Sequence, residues 1–164
     1  MGSIRVGAVV TTLHLGVEIK PYRAKFRTKK SGKVGKPVDT GMVAEFLEAN
    51  YGIMQAFARE DVHGKDIVRA VEDSLESALK AMVTTNSEKI ALPWVAGAAE
   101  IESAFRDFID SQEAERVGIP GTPTKAALAG VDHRLKHPYR KTNPRRPSFR
   151  DTGMYVRSFR AWVD

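Results

Sequence analysis

The stretch Thr12-Leu-His-Leu-Gly-Val-Glu-Ile-Lys20 sets Leu13, Leu15, Val17 and Ile19 on one side and His14, Gly16, Glu18 and Lys20 on the other. A period of two is how a half-buried strand distributes its side chains. After Pro21 the alternation resumes, with Tyr22, Ala24 and Phe26 opposite Arg23, Lys25 and Arg27. The pattern predicts a strand pair, with room for an earlier strand over 3–11. Residues 28–38 carry lysine and glycine but no apolar face, and read as a flexible basic loop.

The middle of the chain changes period. Met42, Val43, Phe46, Leu47, Ile53, Met54 and Phe57 recur at three- and four-residue spacing. So do Ile67, Val68, Val71, Leu75, Leu79 and Met82, and again Trp94, Val95, Ala98, Ile101, Phe105, Phe108 and Ile109. Each set is one apolar stripe of an amphipathic helix with acids opposite, and reads as core or subunit contact. Gly118-Ile-Pro-Gly-Thr-Pro123 stops the helical run, since proline and glycine at this density cannot continue it. A short helix is then predicted from a Thr122 cap and Pro123 through Leu135, ending near His137 before Pro138. The segment 138–150 is basic and proline-broken, and is expected to be extended. The closing Met154–Asp164 stretch is open between helix and strand. The expected fold is α+β: an N-terminal β-hairpin or small antiparallel sheet packed with a bundle of three to four helices.

With 164 residues the chain reads as a single domain, 1–164, able to bury about 70% of its unfolded surface. The absence of cysteine excludes disulfides, thiolate metal sites and a cysteine nucleophile. The first ten residues are too short and broken an apolar run for a signal peptide, and no window has the composition of a membrane span. A soluble protein without membrane contact is expected.

Net charge is +6, unevenly distributed. Met1–Lys36 has nine bases and one acid, Pro37–Val117 seven bases and sixteen acids, and Gly118–Asp164 ten bases and three acids. An acidic middle between basic ends suits self-association of unlike surfaces or a polyanionic partner.

Asp-Thr-Gly occurs twice, at Asp39–Gly41 and Asp151–Gly153. In an aspartic protease each copy would follow an apolar strand, and neither does. The plainer reading is helix initiation, with Asp39 as an N-cap and Asp151 open to the same role. His133 and His137 are four apart, but the glutamate of the metalloprotease motif is missing. No phosphate loop, dinucleotide fingerprint or nucleophile elbow occurs. The reading therefore assigns no catalytic, cofactor or metal residue and expects no enzyme and no cofactor.

The C-terminal tract carries more. Arg134, Lys136, Arg140, Lys141, Arg145, Arg146 and Arg150 are interleaved with Tyr139 and Phe149. Such a tract can grip phosphate and stack on bases, or dock an acidic protein face with arginine and aromatic anchors. The sequence from Gly118 onward resembles the C-terminal part of bacteriophage tail-completion and virion-morphogenesis proteins. The resemblance rests on Pro147, Phe149, Asp151-Thr152-Gly153 and Ser158 and covers roughly the last third of the chain. It implies a non-enzymatic α+β subunit that forms rings at the neck, tail terminus or baseplate. The virion would be its location, and the host cytoplasm its place during assembly.

Its expected partners are further copies of itself, other neck, tail or baseplate proteins, and DNA in a channel lumen. The motif stands at the extreme C-terminus and follows a long acidic helical middle, both departures from the family pattern. Arg145, Arg146, Phe149, Arg150, Asp151, Tyr155, Phe159 and Trp162 form the expected interface segment. The alternative is a nucleic-acid-binding accessory protein that uses the basic C-terminal tract.

Overall fold

A computed structural model describes residues 12–22, 38–85 and 94–163. The second half of the expected strand pair (23–27), nearly all of the basic loop and the 3–11 segment lie outside the described residues. In chain order the elements are β1 (Leu13–Val17), α1 (Thr40–Tyr51), α2 (Ile53–Phe57), a π-helical turn (Glu60–Gly64), α3 (Lys65–Thr85), α4 (Trp94–Asp110), α5 (Glu113–Arg116), α6 (Lys125–Leu128), α7 (Met154–Ser158) and β2 (Phe159–Val163).

The fold is α+β, with a small antiparallel sheet packed on helices. The described sheet joins the two ends of the chain: Leu13 pairs with Val163 and Val17 with Phe159. Ser158 O extends the ladder by accepting from Glu18 N at 2.7 Å. The ambiguous tail is both things in turn, one helical turn and then a strand. On β2, Phe159 and Ala161 are buried and Trp162 is outside, where its ring lies over Gly16 and stacks on His14 at 5.4 Å. A Cβ at residue 16 would come within 2.8 Å of that indole, so the glycine makes the space.

The core is aromatic. Phe105 of α4 stacks on Phe159 of β2 with ring centroids 3.8 Å apart, and Phe57 meets Phe105 edge-on at 5.2 Å. Ile53, Ile101, Phe108, Ile109 and Tyr155 complete a fully buried set. Deleting one such aromatic costs about 3–5 kcal/mol.

Asp39 is an N-cap as expected: its carboxylate accepts from Met42 N at 2.8 Å. Thr40 beside it is fully buried and bridges α1 to the chain after β1, donating to Glu18 O at 2.6 Å and accepting from Lys20 N at 2.7 Å. Gly52 closes α1 in the left-handed region, where glycine carries no Cβ penalty.

Helices α3 and α4 approach closely at Gly97, where a Cβ would sit 2.8 Å from Ala70 O. Ala70, Ser74 and Ala78 form the buried face of α3. Gly97 is in the first turn of α4, yet it lies opposite the middle of α3. The C-terminal half of α3 thus runs past the start of α4. Val68, Leu75, Leu79 and Val83 are left exposed along its outer side, Val83 at 85%.

The expected helix from Thr122 starts two residues late and stops early. Thr124 is the cap, accepting from Ala127 N at 3.2 Å, and the Thr122–Pro123 peptide is cis. Gly130 takes φ 64°, which ends helical geometry and starts a chain of turns. His133 and His137 therefore do not share a helix face.

Candidate interface

The segment after Gly130 is not an extended arm. Its inner part, 145–150, is folded onto the body. Glu115 of α5 has a side chain only 6% exposed and receives three donors. Ser148 N donates at 2.9 Å and Ser148 Oγ at 2.7 Å, and Arg145 Nη2 pairs with the other oxygen. Burial pushes the Glu115 carboxyl up, but Ser148 and Arg145 overcome that and hold it below the ordinary value. Ser148 Oγ also accepts from Thr124 N at 3.0 Å, tying α6 to the same node. Arg150 Nε lies 3.0 Å from Asp110 Oδ1, close enough for an ion pair though the N–H is not aimed at that oxygen.

Arg146 is 8% exposed. Its Nε donates to Val131 O and its Nη1 to Pro147 O at 2.9 Å, and its Nη2 stands 4.0 Å from Asp151. Burial pushes the guanidinium below its ordinary value, with Asp151 and Asp132 opposing. Asp132 is itself buried and accepts from Arg134 N and Nε, both at 2.9 Å. The Arg134 bonds bring its carboxyl down to about 2, against the opposing effect of burial.

The second Asp-Thr-Gly is not a helix cap. Gly153, at φ 75°, occupies the cap position of α7. Asp151 is turned back to the loop, accepting from His133 N at 2.9 Å and lying 2.7 Å from His133 Nδ1. His133 Nε2 is in turn 2.8 Å from Tyr139 Oη. The tautomer that donates from Nδ1 to Asp151 is the one that can accept a hydrogen bond from the Tyr139 hydroxyl at Nε2.

The eight expected interface residues therefore separate. Tyr155 and Phe159 belong to the chain's own core, 2% and 0% exposed. Their apolar mass is used to close the sheet onto α4, so they are withdrawn from any contact face, and Arg146 is withdrawn with them. Phe149 is half-buried at φ 66°, its ring edge-on to Tyr51 at 5.0 Å. Arg145, Arg150 and Asp151 are engaged in ion pairs within the chain. Trp162 is the one large aromatic of the eight that stays substantially exposed.

Part of the uneven charge is also satisfied within the chain. Three acids of the middle meet arginines of the C-terminal segment inside one molecule, Glu115 with Arg145, Asp110 with Arg150 and Glu102 with Arg160, and Arg160 also pairs with Glu18 near the other end. Glu115 and Ser148 were not legible as site residues, because nothing local marks a carboxylate whose partner lies some thirty residues away. Asp132 is different: its partner Arg134 is two residues on, a local Asx-type contact not singled out in the sequence.

No metal-ligand cluster occurs among the described residues, and no helix there is long and apolar enough to cross a membrane. Comparison with family models, with curated proteins and with solved structures finds no match to this chain.

Proposed function

We propose that this chain is a non-enzymatic structural subunit of a tailed-bacteriophage particle, assembling as a ring at the neck, tail terminus or baseplate. The observation that carries the reading is the outer side of α3. Val68, Leu75, Leu79 and Val83 expose an apolar stripe on a helix that runs past its packing partner. An exposed stripe of this kind marks a surface that is covered in an assembly.

A second apolar face, Met42 and Phe46 of α1 at 50% and 61% exposure, gives the chain two unlike patches. A heterologous contact that repeats and closes needs such a pair. The contact is therefore apolar and helical, rather than the charge-on-charge docking that composition alone favoured. The phage assignment itself rests on the resemblance at Pro147, Phe149, Asp151–Gly153 and Ser158.

The test is the solution mass of the purified protein and of Leu75→Glu/Leu79→Glu, followed by negative-stain imaging with phage heads or tails added. Rings, or decoration of one particle end, that the double variant abolishes are expected. A wild-type protein that stays monomeric and ignores the particles would overturn the proposal.

A further inference from the structure

The outer part of the basic tract has a different construction from the inner part. Residues 132–143 form a compact surface loop. At its neck Gly130 backs onto Asn143 and Pro144, whose carbonyl oxygen would lie 2.7 Å from an added Cβ. Asp132 N donates to Pro138 O at 3.2 Å, and Asn143 Nδ2 donates to His137 O at 2.9 Å and to Pro138 O at 3.0 Å. The loop is thus held by its own hydrogen bonds, as in a self-packed Ω-loop.

On it, Lys136, Arg140 and Lys141 are exposed, and none has a carboxylate partner among the described residues. Tyr139, 70% exposed, stands between them with its ring fixed against His133, edge-on at 5.3 Å. Lys136, His137, Pro138, Tyr139 and Arg140 line an open depression of about 540 Å³.

We propose that this loop is a contact for the phosphate backbone of nucleic acid. In this reading Lys136, Arg140 and Lys141 neutralise phosphates, and Tyr139, positioned by His133 and Asp151, packs against the sugar-phosphate chain. Two observations and two physical arguments favour a phosphate chain over the acidic face of a second copy. The acids nearest in the fold, Asp110, Glu115, Asp132 and Asp151, are already engaged by arginine or histidine. On the helices, Glu76 is paired with Lys80 and Glu102 with Arg106, which thins the acidic face a second copy would offer. A duplex carries one charge per about 1.7 Å of axis, dense enough to engage three cations within six residues. A loop that is already ordered also avoids the entropy of immobilising these side chains from a disordered tail. The surface is separate from the α3 stripe, so the inference stands whether or not the chain forms rings.

The test is fluorescence anisotropy with a labelled duplex of about 25 base pairs, in salt from about 50 to 200 mM. Three neutralised phosphates give a log–log salt slope of about −2.7, so affinity should fall about 40-fold over that range. Lys136→Ala/Arg140→Ala/Lys141→Ala should abolish binding while its circular dichroism and melting curve match wild type. Lys80→Ala, on the far helix, should bind as wild type does. Poly-glutamate of equal charge should compete weakly. Wild-type protein that ignores the duplex, a triple variant that binds it unchanged, or preferential capture of poly-glutamate would each overturn the proposal. The monomeric α3 double variant should keep DNA binding, so loss of assembly and loss of this contact are read separately.

Discussion

The two halves of the basic tract each carry three cations, a proline and an aromatic ring, and have opposite fates. In 145–150, Arg145, Arg146 and Arg150 face Glu115, Val131 O with Asp151, and Asp110. In 136–141, Lys136, Arg140 and Lys141 face solvent. Arginine is the residue suited to the first setting, because its planar fork serves several acceptors and is weakly hydrated. Two lysines in the outer loop fit the second, since an ammonium keeps its water until an external anion replaces it. Positive charge in a sequence therefore does not count towards binding until its intramolecular partners are known.

The largest break in this contrast is expected from Glu115→Ala. It leaves the Ser148 hydroxyl and N–H buried without an acceptor and releases Arg145, at a cost of about 2–4 kcal/mol. Urea denaturation of the purified variant measures it, and a loss under about 0.5 kcal/mol would mean the inner half is not held by this node.

Gly130→Ala comes next. It sets a Cβ against Asn143 and Pro144 at φ 64°, with an expected cost of about 1–3 kcal/mol. Because the neck is shared, DNA affinity should fall with it, even though no cation is altered. Unchanged affinity in a destabilised variant would show that the outer loop holds its shape without its neck.

Acid titration separates the halves more gently. The folded Asp132 carboxyl is depressed from 3.8 to about 2, so its contribution is fully present above pH about 4. It is lost as pH falls from there through about 2, and amounts to about 1–2 kcal/mol after solvent screening at Arg134. Thermal melts between pH 2 and 5 should show this loss, and Asp132→Asn should flatten it. At the small end stands the outer triple variant, whose stability should stay within about 0.5 kcal/mol of wild type.

The legible parts were those governed by near neighbours along the chain. Asp39 as a cap depends on an N–H three residues away, and the helices α1, α3 and α4 show as a repeat of 3.6, although on α3 Val68, Leu75 and Leu79 are exposed and Ile67, Ala70, Ser74 and Ala78 make the buried face. The period of two in Thr12–Lys20 marked a strand correctly, but it could not name Phe159–Val163 as the partner. A strand's pattern fixes which face it buries, and the pairing depends on which other apolar face the fold brings alongside. The same limit explains the tail, where Tyr155 and Phe159 looked like an aromatic docking motif. Both are core, because β2 must cover α4.

What the sequence alone determined is the α+β class, the helical middle, the Asp39 cap and the concentration of cations near the end. Those follow from local periodicity, capping chemistry and composition. What only the tertiary structure decided is the pairing of the two chain ends and the conversion of the second Asp-Thr-Gly into a brace for His133. It also decided the division of one basic tract into a buried scaffold and an exposed loop. Each depends on which distant groups meet, and a carboxylate thirty residues away changes what an arginine is for without leaving any mark beside it in the chain.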